Sequence, residues 1–149
     1  MHRNALRLLA TMLVMLGLLT LGVAPAAAQE EDLTVEVTFD ATIDPRTGQV
    51  TLSGTISCSE PAFVDIFGEL HQQVGRIFTV SGFFGVRVQC PGPEGITYAV
   101  PVTPYQGRLT PGPARLTGSV FGCVFDPDVG CAKSFNRQLD TTIRLAPAT

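Results

Sequence analysis

From Leu33 the chain alternates between apolar and polar residues. Leu33, Val35, Val37, Phe39, Ala41 and Ile43 are separated by Thr34, Glu36, Thr38, Asp40 and Thr42. Successive side chains of a β-strand leave opposite faces, so this alternation predicts a strand with one face in the core. Asp44-Pro-Arg-Thr-Gly48 supplies a turn, because proline restricts φ and glycine tolerates positive φ. Val50, Leu52, Gly54, Ile56 and Cys58 then resume the inward phase against Thr51, Ser53, Thr55 and Ser57. The two runs read as a hairpin.

The same pattern continues downstream. Ala62, Val64, Ile66 and Leu70 form an inward set, followed after Gly75 by a short strand over 76–80. Phe84, Val86, Val88 and Cys90 come next, then Ile96, Tyr98, Val100 and Val102. A breaker-rich connection spans Pro104 to Pro113. Ala114, Leu116, Gly118 and Val120 follow it, and Leu139, Thr141, Ile143 and Leu145 close the chain. No segment carries an apolar stripe of useful length at the helical spacing of about 3.6 residues. Seven or eight short strands with turns between them predict an all-β fold, an immunoglobulin-like antiparallel β-sandwich.

The first 28 residues read differently. His2, Arg3 and Arg7 precede an apolar run from Leu8 to Val23, and Ala26-Ala27-Ala28 follow. Basic start, apolar middle and small-residue flank are the marks of a secretory signal peptide, with cleavage before Gln29. The apolar run of about 16 residues falls short of the roughly 20 that cross a bilayer. The expectation is a secreted chain whose residues 29–149 form one β domain. Every acidic residue lies in that part, where 8 Lys+Arg against 13 Asp+Glu leave a formal charge of −5. That balance argues against nucleic acid, whose phosphates demand clustered Lys and Arg. It argues equally against an anionic membrane surface.

Export makes the cysteines legible. An oxidising compartment and an even count favour disulfides, and four cysteines allow three connectivities. Cys58 and Cys90 both fall on the inward phase, so strand phase favours Cys58–Cys90, with Cys123–Cys131 closing a small loop at one end of the sandwich. From loop length the two bridges are worth about 3.7 and about 2.6 kcal/mol.

Catalytic chemistry finds few residues to work with. His71 is the single histidine after residue 28, expected on the surface near a strand end, and no G-x-S-x-G motif is present. The chain is therefore read as non-enzymatic, with no cofactor. Asp126-Pro-Asp128-Val-Gly130 resembles the start of a calcium loop, but no acid follows at the fifth position, so Asp126 and Asp128 read as turn residues and a weak calcium candidate. Phe63, Phe67, Phe83 and Phe121 fall on the outward phase. Exposed aromatics in a cluster mark a candidate binding surface.

Several stretches carry a resemblance. They are Gly48 through Ala62, Gln73-Val-Gly-Arg76, Val86-x-Val-x-Cys90, Pro111-Gly-Pro-Ala-Arg-Leu-Thr117, and Cys123 with Cys131 before a last strand. Together they resemble small secreted actinobacterial proteins of unknown function with an immunoglobulin-like sandwich. That resemblance implies a fold and a compartment but no activity. The acidic, twice-bridged sandwich also looks like the enediyne apoproteins, a likeness of architecture alone. The expected role is binding a protein or cell-surface partner. The alternatives are a small-ligand carrier of the chromophore-binding kind and a secreted protease inhibitor.

Overall fold

A computed structural model describes residues 32–148. The expected signal peptide over residues 1–28 lies outside the described residues. Eight strands follow in chain order: β1 (Val35–Val37), β2 (Asp40–Ile43), β3 (Val50–Cys58), β4 (Ala62–Val74), β5 (Phe78–Cys90), β6 (Ile96–Pro104), β7 (Gly112–Asp126) and β8 (Gly130–Pro147). The all-β class and the two disulfides are as expected, with Cys58 joined to Cys90 and Cys123 to Cys131.

Separate sandwich sheets are not what forms. The ladder runs β2-β8-β7-β4-β5-β6-β3 and returns to β2, a closed seven-stranded barrel with β1 added on β3. Two short contacts close it. β2 pairs in parallel with β8 through Ala41↔Leu145, Thr42↔Ala146 and Ile43↔Pro147. β5 pairs with β6 only through Gly82↔Pro104 and Phe83↔Thr103. Strand twist accumulates over the 13 residues of β4 and of β5, which turns the start of β5 toward β6.

Other sequence expectations need local correction. The run from Leu33 to Ile43 is one strand by periodicity but two by pairing, broken at Thr38 and Phe39. The break has a cause in packing. The Tyr98 hydroxyl donates to the Thr38 carbonyl at 2.8 Å, which satisfies its buried polar tip. Gly54 lies under the same carbonyl, and a Cβ at that position would collide with it. The separate strand expected over 76–80 belongs to β5. Ile96 and Thr141, assigned inward by phase, are both exposed. Ile96 is the first residue of β6, and Thr141 lies before β8 meets β2 at Ala41↔Leu145.

The phase is otherwise sound. Ile43, Val50, Leu52, Ile56, Val64, Leu70 and Leu116 are fully buried. Each such side chain contributes roughly 1.5–3 kcal/mol relative to exposure. The long 105–111 connection is tied to this core by Leu109 and by the buried Gln72, whose amide donates to the Thr110 carbonyl at 2.7 Å and accepts the Thr110 N–H at 2.8 Å. The turn between β2 and β3 uses Gly48 at φ +75, as its composition suggests.

Candidate interaction face

Strands β5, β4, β7 and β8 lie side by side, so their outward residues form rows across one face. Register sets the rows. Arg87, Asp65, Phe121 and Asn136 make one; Gly85, Phe67, Ser119 and Gln138 the next; Phe83, Glu69, Thr117 and Asp140 a third. Phe63 stands beside Cys123 above them. The four phenylalanines assigned outward by phase thus share this face, with exposures of 43, 52, 48 and 36% for Phe63, Phe67, Phe83 and Phe121.

Their neighbours shape the surface. Gly85 and Ser119 flank Phe67 with almost no side chain, leaving a depression of about 680 Å³ lined by Phe67, Gly85, Arg87, Ser119 and Phe121. A smaller one of about 310 Å³ lies between Phe63, Phe121 and Phe125. Phe125, 63% exposed, extends the aromatic surface and escaped the sequence reading. It shares the odd-numbered phase of Phe121 and Cys123, the signal that could have found it. Phe83 stacks on Tyr105 with centroids 5.8 Å apart, and Tyr105 donates to Glu69 at 3.1 Å.

Charge on this face is internally paired. Arg87 holds Asp65 through two hydrogen bonds, and Arg115 holds Asp140 through Nε at 2.7 Å and Nη2 at 2.6 Å. The paired carboxylates lift both guanidinium pKa values, chiefly by hydrogen bonding. The Arg115 guanidinium in turn holds the Asp140 carboxyl below the usual carboxylate range. Fork-to-fork pairs leave little polar capacity unspent, so this strip offers aromatic area between neutralised charges.

His71 is only half on the surface, its side chain 32% exposed. Its ring meets Ser81 Oγ at 2.8 Å, Thr117 Oγ1 at 3.2 Å and Glu69 Oε2 at 3.4 Å. Ser81 lies inside β5 with its carbonyl accepting the Tyr105 N–H, in regular strand rather than on the sharp turn that exposes a serine nucleophile. Asp126 Oδ1 accepts the N–H groups of Asp128 and Val129 at 2.8 and 3.2 Å, the geometry of a turn. Among the described residues no group of three or more His, Cys, Asp or Glu is placed to hold a metal.

No protein-family model matches the chain. No curated protein matches it either. Among solved structures it is similar to AggA, the major subunit of aggregative adherence fimbriae type I from Escherichia coli. That match has 16% identity and a TM-score of 0.40, and covers 78% of this chain and 94% of that one. The ApaA protein from Bordetella pertussis is similar at 24% identity and a TM-score of 0.39, with the same coverage. Neither likeness is close enough to carry a function to this chain, and neither bears on the actinobacterial or enediyne resemblance.

Proposed function

We propose that this chain is a secreted, non-enzymatic protein that binds a protein or cell-surface partner through the outward face of β5-β4-β7-β8. One observation carries the reading: four phenylalanines from three strands share one face, and two of them, Phe67 and Phe121, line a depression that Gly85 and Ser119 leave open. An apolar anchor from a partner would fill that depression and desolvate the rings, the geometry of a binding hot spot. Under this reading residues 1–28 direct export and are removed, and 29–149 act as one all-β domain, secreted like the actinobacterial proteins that the sequence resembles. A carrier would need a deep cleft inside the barrel; the depression here opens outward. An inhibitor would present the 123–131 loop, where Val129 is 72% exposed.

The test is capture from culture filtrate and cell envelope on the immobilised protein, with cross-linking to locate the contact. Cross-links to β4, β5 and β7, weakened by Phe67→Ser and by Ser119→Arg, are expected. A partner that binds both variants as it binds wild type, or one that cross-links only elsewhere, refutes the face. Inhibition across a panel of secreted proteases, lost when the 123–131 loop is cut, would establish the inhibitor instead.

A further inference from the structure

We propose that copies of this chain associate end to end, the basic Arg76–Phe78 tip of one seated in the acidic depression at the opposite end of the next. The proposal stands apart from the aromatic face and does not rest on it.

The strand register sorts the turns into two ends. Val74↔Phe78, Ile43↔Val50 and Gly82↔Pro104 place turns 44–49, 75–77 and 105–111 at one end. Ala62↔Cys90, Ile56↔Ile96 and Asp126↔Gly130 place 59–61, 91–95 and 127–129 at the other, with the N-terminal stretch from Asp32. Charge divides along the same line. The first set of turns holds Arg46, Arg76 and Arg108 against Asp44. The second end holds Asp32, Glu60, Glu94, Asp126 and Asp128, with Lys133 bonded to Glu60 at 2.7 Å.

Shape and hydrophobicity follow the charge. At the basic end the β4–β5 hairpin projects Ile77 and Phe78, 82% and 69% exposed, directly after the exposed Arg76. At the acidic end Asp32, Thr34, Ser59, Glu60 and Lys133 line a depression of about 510 Å³. Val129, 72% exposed, offers apolar area on that same end. A protruding cation with apolar neighbours and a recess bearing carboxylates are complementary, and both belong to one chain. Two different surfaces meeting make a heterologous contact, which propagates unless its rotation closes a ring. Opposite potentials steer the encounter and are screened by salt.

Sedimentation velocity on the purified protein, its N-terminus fixed by mass spectrometry, tests this. At about 20 mM salt the average mass should climb with concentration without stopping at a dimer, and at about 500 mM it should fall back toward monomer. Arg76→Glu with Phe78→Ser blocks the tip, and Asp32→Lys with Glu60→Lys blocks the recess; each should weaken association at least about tenfold. Mixing the two blocked proteins should yield a one-to-one dimer, because each retains the end the other lacks. Single changes at the exposed Arg76 and Asp32 guard against misfolding, and thermal midpoints near wild type confirm it. A protein that stays monomeric at low salt overturns the proposal. So does association that ignores both blocks, or a mixture of blocked proteins that stays monomeric. Binding of the tip to anionic phospholipid vesicles by a protein that remains monomeric would assign it to a membrane surface instead.

Discussion

Arg87 and Asp65 face each other across the β4–β5 ladder with Nε 2.6 Å from Oδ1 and Nη2 2.9 Å from Oδ2, in the middle of the aromatic face. The guanidinium is largely exposed, so solvent screens the pair and its worth to the fold is small. Its effect is geometric: it ties Asp65, between Phe63 and Phe67 on β4, to Arg87 on β5. Arg87→Ala should leave the denaturation midpoint close to wild type, whereas Leu52→Ala in the core should cost about 2–5 kcal/mol. Urea unfolding of the two variants checks the contrast; equal losses would show that the pair has been misjudged.

The disulfides differ in weight. Cys58–Cys90 spans 32 residues of sequence and Cys123–Cys131 spans 8. Replacing Cys58 and Cys90 together by alanine should cost about 3–4 kcal/mol, and Cys123 with Cys131 about 2–3 kcal/mol. Peptide mapping of the oxidised protein should link only these pairs; a Cys58–Cys123 peptide would refute the placement of the β3 and β5 ends that brings Cys58 to Cys90.

Acid should weaken the fold through two carboxyls. Hydrogen bonds from the Arg46 and Thr47 N–H groups hold the Asp44 carboxyl low, as Arg115 does for Asp140. Each titrates lower folded than unfolded, so its contribution is complete above the unfolded value of 3.8 and fades as pH falls through the folded one. Thermal midpoints measured from pH 5 down to about pH 2 should fall less steeply for Asp44→Asn and Asp140→Asn than for wild type.

Both tyrosines should resist alkaline ionisation for different reasons. Burial, chiefly, raises the Tyr98 phenol, while the bond to Glu69 raises that of Tyr105. Their stabilising contribution is complete below the unfolded phenol value of about 10 and lost as pH rises through the folded ones. Ultraviolet titration should find neither group at the ordinary position. Glu69→Gln should bring Tyr105 back toward it and leave Tyr98 unmoved.

Amide exchange should expose a seam. Ser81 turns its carbonyl to Tyr105 of the β6 side, and alternation points the N–H groups of Gly85, Arg87 and Gln89 the same way, beyond the last β5–β6 pair. Those amides should exchange faster than those of Val86 and Val88, which face β4. Uniform protection along 84–90 would mean that β5 and β6 are zipped together.

Most strands and their phase were legible because alternation is a local property, and the disulfide partners followed from that phase. Burying one face imposes a period of two, and Cys58 and Cys90 inherit their direction from the Val50 and Phe84 phases. The four outward phenylalanines were legible one by one for the same reason. That they share a face was not, because Phe63, Phe83 and Phe121 lie on different strands and only register brings them together. Phe125 was missed because the alternation was read only as far as Val120, whereas β7 runs on to Asp126.

By itself, then, the sequence determined an all-β chain, the core side of its strands apart from positions such as Ile96 and Thr141, and a head whose composition differs from everything after it. Tertiary structure decided that the sheets join into a barrel, through three residue pairs at β2–β8 and two at β5–β6. It also decided that Gly85 and Ser119 open a depression beside Phe67, and that arginine-bearing and carboxylate-bearing turns gather at opposite ends. The physical reason is range. Alternation is set by neighbours two residues apart, whereas closure, rows and ends depend on accumulated twist and on pairings between residues tens of positions apart.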